Sequence, residues 1–163
     1  MKIILSKSLV VAVALGFVIS SCQKKPDIEY TSTVNMSAEW FVRYYDDTAP
    51  TVALIPYRDL LTYNTSDPNR SQVWIDDHFW PFKAKANVDY TNLTFVTTDN
   101  AEDILSGGKV KIYEGKVIQG AGISKSGNKV DSIFLRVEFL DDDPGFIYQI
   151  RGHQRTGFFE DEY

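Results

Sequence analysis

Residues 82–88 read Phe82-Lys83-Ala84-Lys85-Ala86-Asn87-Val88, and residues 133–139 read Ile133-Phe134-Leu135-Arg136-Val137-Glu138-Phe139. Both alternate with a period of two, the signature of a strand with one face on a core and the other in water. Phe82, Ala84, Ala86 and Val88 form the inward face of the first stretch, and Ile133, Leu135, Val137 and Phe139 that of the second. Between residues 37 and 163 no long helical period competes with this pattern. Ala38–Tyr45 carries Trp40, Val42 and Tyr44 on one face. Further β-prone runs lie at Leu60–Asn64, Val73–Asp76, Leu93–Thr97, Lys109–Ile118 and Phe146–Phe158, about eight in all. Ser126-Gly127-Asn128 and Asp143-Pro144-Gly145 are hairpin-type turns, and Ser106-Gly107-Gly108 is a further break. Asn100–Leu105 is expected to form one helical turn capped by Asn100. The pattern predicts an all-β domain, an antiparallel up-and-down barrel of about eight strands. A two-sheet β-sandwich satisfies the same spacing.

Outward from this body, the N-terminus reads as an address. Lys2 and Lys7 precede an apolar run from Leu9 to Ile19, shorter than the roughly 20 residues of a spanning helix. The run ends in Ile19-Ser20-Ser21-Cys22, similar to the bacterial lipoprotein signal. Residues 1–21 are expected to be a cleaved signal peptide. Cys22, the only cysteine of the 163 residues, is expected to be acylated and to hold the protein on a membrane. Polar residues 22–36 read as a tether, leaving 37–163 as a single domain. No Asp follows Cys22, which points to the outer membrane of the cell envelope. The whole chain carries 17 basic and 22 acidic residues, a net charge of −5. Loss of the signal takes two lysines and no acid, leaving −7. Such a surface does not neutralise phosphates, which argues against a nucleic-acid partner.

The Ala38-Glu39-Trp40 opening, Tyr63-Asn64-Thr65, Trp74-Ile75-Asp76 and the closing Gly152-His153-Gln154-Arg155-Thr156-Gly157-Phe158 resemble a family of Bacteroidetes lipoproteins described as "lipid-binding putative hydrolase". The resemblance implies a calycin or lipocalin-like barrel, a lipid or other apolar small-molecule ligand, and a hydrolytic activity. In lipocalins a tryptophan of the first strand packs near an arginine from the end of the barrel. Trp40 with Arg151 or Arg155 would supply that pair.

The residues themselves offer little catalytic chemistry. The two histidines are His78, in the loop Asp76-Asp77-His78-Phe79-Trp80-Pro81, and His153, in the last strand. A hydrolase would need Ser71, His78 and Asp77, or Ser132, His153 and Glu138, to converge. Gly122-Ile123-Ser124-Lys125-Ser126-Gly127 misses the esterase elbow by one position and leads into a strand, and it fails as a phosphate loop. Asp141-Asp142-Asp143 lacks the spacing of a calcium loop. No cofactor or metal is expected. The stronger signal is aromatic: three Trp, nine Tyr and ten Phe. A barrel whose interior is not filled holds apolar ligands. Trp40, Tyr44, Trp74, Phe82, Phe95 and Tyr113 are the candidate lining, Trp74 with the reservation that Gln72 and Asp76 share its face. The leading expectation is a lipid-anchored binding protein; a lipid or acyl-ester hydrolase and an accessory interaction protein are the alternatives.

Overall fold

The alternating stretches become neighbouring walls of one closed sheet. In a computed structural model, which describes residues 30–163, the strands are β1 (Ala38–Asp46), β2 (Arg58–Asn64), β3 (Gln72–Asp77), β4 (Phe82–Asp89), β5 (Thr94–Val96), β6 (Ala101–Glu102), β7 (Lys109–Ile123), β8 (Lys129–Phe139) and β9 (Tyr148–Gln154). A 3₁₀ turn, Phe159–Asp161, follows. All pairings are antiparallel. The order runs β5-β4-β3-β2-β1-β9-β8-β7-β6, and β5 also pairs with β7. The ring therefore closes as an eight-stranded up-and-down barrel, with β6 as a two-residue extra strand on one end of β7. First strand meets last: Phe41 is opposite His153 and Tyr44 opposite Ile150. The barrel, not the sandwich, is the architecture, because closure leaves no unpaired edge among the eight strands.

The inward faces are as the period requires. Phe82, Ala84 and Ala86 are fully buried, Val88 packs at the margin, and Ile133, Leu135, Val137 and Phe139 are all within the core. Two glycines make closure possible. A Cβ on Gly152 would sit 1.9 Å from the Phe41 carbonyl oxygen, so β9 approaches β1 only without a side chain there. A Cβ on Gly115 would lie 2.2 Å from the Phe95 ring, which lies directly over the β7 backbone.

Four expectations are corrected. Asn100–Leu105 is not a helical turn. The Asp103 carboxylate accepts from the backbone N–H groups of Lys83 and Leu105 and from the Ser106 hydroxyl, and this fixes a strand-and-turn path instead. β7 runs to Ile123 rather than Ile118, through register shifts at Ile112/Glu114 and Ile118/Gly122. The last strand stops at Gln154, and the following residues fold back on the outer wall. The domain also begins before residue 37: Thr33 and Met36 are buried, and Met36 joins the core. The apolar residues of the stretch, Ile28, Tyr30, Val34 and Met36, are scattered among polar ones and make no strand or helix face, so the sequence pattern could not mark Met36 as core. The signal peptide, Cys22 and tether residues 22–29 lie outside the described residues.

Candidate functional site

The meander gives the barrel two poles. The chain enters β1 at the near pole, which also carries the loops 65–71, 90–93 and 124–128. The far pole carries the loops 47–57, 78–81 and 140–147, together with the 97–108 connection. Met36 and Thr33 plug the near pole. There the Thr62 hydroxyl accepts from Trp40 Nε1 at 2.8 Å and donates to the Met36 carbonyl. Trp40 is thus a buried brace of the floor, and no arginine stacks on it. Arg155 lies over Phe41 and Arg151 over Tyr45, because Phe41 and Tyr45 are the residues β1 turns outward.

At the far pole a contiguous set of rings fills the barrel end. Trp80, from the 78–81 turn, stacks flat on Phe139 (centroids 5.2 Å, planes at 10°). Phe139 meets Phe82 edge-on at 5.3 Å. Tyr148 touches Tyr44, Trp80, Phe139 and Phe146 at 4.6–5.9 Å, and Phe79 lies against Tyr44 at 5.9 Å. Phe82, Tyr44, Phe139 and Tyr148 are buried, whereas Phe79 is 36% exposed. Trp80 is half-buried and covers Phe139.

Asp77 sits beneath these rings with no solvent exposure. Alternation along β3 puts Val73, Ile75 and Asp77 on the inner face, so the last inward position is a carboxylate. Tyr44 Oη donates to one oxygen and the Phe79 N–H donates to the other at 2.7 Å. Burial pushes the carboxyl up to about 6, against the hydrogen bonds from Tyr44 and Phe79, which pull it down. Burial, then the Asp77 charge, pushes the Tyr44 phenol well above its usual range. At the rim, Trp80 Nε1 donates to Asp142 at 3.4 Å and Tyr148 Oη to Asp143 at 2.8 Å.

Of the six candidate lining residues, Trp40, Tyr44, Phe82 and Phe95 are inside the barrel and closely packed. Only Tyr44 and Phe82 belong to the far-pole cluster. Trp74 and Tyr113 are not in the interior. Val73, Ile75, Val110 and Ile112 take the inward positions, so their neighbours face out. Trp74 lies near the ammonium groups of Lys83 (5.3 Å) and Lys85 (5.0 Å), beside a shallow groove of about 240 Å³. Tyr113 donates to Glu138 and has Lys111 over its ring at 4.5 Å. A second, polar concavity of about 350 Å³ lies outside the near pole, between residues 30–33 and the 65–71 loop.

The hydrolytic sets do not assemble. Ser71 is bonded to Asp67 at the near pole, while His78 stands at the far pole with its side chain 56% exposed, 3.6 Å from Asp76. Ser132 is opposite His153 on the outer wall. Glu138 lies six residues further along β8, held by Tyr113 and the Gly145 N–H. His153 is enclosed by Phe41, Tyr57 and Tyr163, and its ring nitrogens meet the Gln154 carbonyl and Tyr163 Oη, each at 3.2 Å. Among the described residues no group of His, Cys, Asp and Glu is placed to hold a metal ion.

Asp77, Phe79, Trp80, Phe139 and Tyr148 were not singled out as a lining by sequence reasoning. The signal was present, since Asp77 follows Val73 and Ile75 at a spacing of two. No curated protein matches the chain. A family model described as "Lipid-binding putative hydrolase" matches residues 25–159, and the chain, with its closed antiparallel barrel, belongs to this family.

Proposed function

We propose that this protein is a lipid-anchored component of the cell envelope that takes a lipid or other apolar small molecule into the far pole of its barrel. The observation that carries the reading is the ring cluster around Asp77. Seven aromatic side chains meet at one end of a closed barrel, and Trp80, which covers Phe139, is attached through a four-residue turn rather than a strand. A site of this kind combines apolar walls with a few polar groups that orient a ligand. The anchoring half rests on Ile19-Ser20-Ser21-Cys22.

Two experiments test the reading. Native mass spectrometry of residues 23–163 purified from the natural host is expected to show a bound species of lipid mass. That chain contains every described residue and therefore the whole closed barrel. A protein that emerges empty and takes up no added amphiphile overturns the binding function. For the anchor, metabolic labelling with a fatty acid is expected to mark the wild type and not Cys22→Ser. Labelling that survives the substitution overturns acylation at that residue.

A further inference from the structure

Resting on that binding reading, we infer that the far pole is built for the positively charged, ammonium-bearing headgroup of an amphiphile, with Asp77 as its counter-charge and the surrounding rings as its walls. The argument starts from the interior. Of the residues the barrel strands bury on their inward faces, Asp77 is the one with a formally charged side chain. Burying a carboxylate is unfavourable unless a cation or a full set of donors compensates it. Asp77 accepts from Tyr44 Oη and the Phe79 N–H, with the Trp80 N–H as a further donor, so its compensation comes from hydrogen bonds and not from a cation. Among the described residues no Lys or Arg pairs with it.

Arg136, Lys83 and Arg58 lie on the outer wall or at the rim, and His78, next to Asp77 in sequence, stands 3.6 Å from Asp76. Arg136 is paired with Asp47 at 2.6 Å and Lys83 with Asp76 at 3.1 Å, both on the outer wall. Arg58 lies over Phe79 at the rim, 5.4 Å from the ring centre. An ammonium entering between Tyr44, Phe79, Trp80 and Tyr148 meets π faces, which attract cations, and then a carboxylate that is hydrogen-bonded but paired with no Lys or Arg among the described residues. A carboxylate headgroup entering by the same path meets Asp142 and Asp143 at the rim and Asp77 below. The position of Asp77's titration, near 6, leaves it mostly ionised at pH 7.5.

The test uses residues 23–163 at pH 7.5 with two probes of equal chain length, dodecyltrimethylammonium and dodecanoate, each below its micelle concentration. Binding is read by native mass spectrometry and by tryptophan fluorescence. The ammonium probe is expected to bind at least about tenfold more tightly than dodecanoate. In Asp77→Asn, which keeps the side chain's size and its acceptor for the Phe79 N–H, that ratio is expected to fall below about threefold. Equal binding, or a preference for dodecanoate, overturns the headgroup assignment and leaves the binding barrel standing. An unchanged ratio in Asp77→Asn overturns Asp77 as the seat. If neither probe binds and the purified protein is also empty, the binding function itself falls. Should the variant fail to fold, the wild-type comparison still decides the sign of the preference.

Discussion

Asp76 and Asp77 are adjacent in sequence and live in different media. Asp76 faces outward, where Lys83 and Tyr63 neutralise and bond it. Asp77 faces inward, where burial raises its pKa to about 6 from the usual value of 3.8. The folded state therefore holds the Asp77 proton more tightly than the unfolded state does. Stability from this group is present below the unfolded pKa and is lost as pH rises toward 6. Asp77→Asn removes that loss. The stability difference between variant and wild type is expected to shift in the variant's favour by about 2 kcal/mol between pH 4.5 and 7.5. Urea unfolding of both proteins at the two pH values measures it, and a difference that is flat with pH contradicts the buried charge. Gly152 makes the opposite point, that a missing side chain can matter more than one present. Gly152→Ala drives a Cβ into the Phe41 carbonyl. It is expected to destabilise the fold by at least about 3 kcal/mol, seen as a lower urea midpoint. The direction in which Asp77 points was legible from Val73 and Ile75. What was not legible is the company it keeps, because Tyr44, Trp80 and Tyr148 reach it from other strands and turns.

Whole strands were the most readable level. Phe82–Val88 and Ile133–Phe139 needed only their alternation, and the observed strands cover both. β6 was invisible because two residues carry no period. The tail was misread as strand because Arg155 to Phe158 is as β-prone as what precedes it, whereas it is tertiary bonds that turn it aside. Asp161 accepts from the Ser126 N–H at 2.6 Å and the Thr156 hydroxyl at 2.7 Å, and Arg155 grips both Glu162 and Glu39. The hydrogen bonds from Thr156 and Ser126 hold the Asp161 carboxyl far below the ordinary carboxylate range. The tail's hold on the wall is accordingly expected to weaken only at strongly acidic pH, read as rising hydrogen exchange at the Ser126 amide. The weakest wall is the one formed by β5, three residues long, which meets β7 at Thr94/Lys116 and Phe95/Gly115. Phe95→Ala is expected to cost about 3–5 kcal/mol. Gly115→Val is expected to part β5 from β7, with amide exchange rising in β4 and β5 before β1 and β9. Uniform exchange throughout would mean that the barrel does not open at that wall.

For the molecule as a whole, closure ties the earliest strand to the latest, so much of the stabilising pairing is distant in sequence. Such a chain cannot keep half its structure. A form ending at residue 144, without β9, is expected to be unfolded by circular dichroism rather than a smaller barrel, and a cooperative transition in that form would refute this. Non-local pairing of this kind also predicts refolding in milliseconds to seconds rather than microseconds. The aromatic richness of the sequence pointed to the interior, yet it could not separate the floor around Trp40 from the mouth around Trp80. That division depends on which pole the entering chain plugs, and the burial of Thr33 and Met36 that decides it appears only in the folded protein. The meeting of β1 with β9 has one more consequence. In a ring every strand has two neighbours, so the position of the first residue is a property of the gene and not of the geometry. The same circuit could be spelled from another starting point. A permuted chain opened between Val52 and Ala53, with a linker from residue 163 to residue 30, would retain all eight ring pairings while placing its free ends in the 47–57 loop of the far pole.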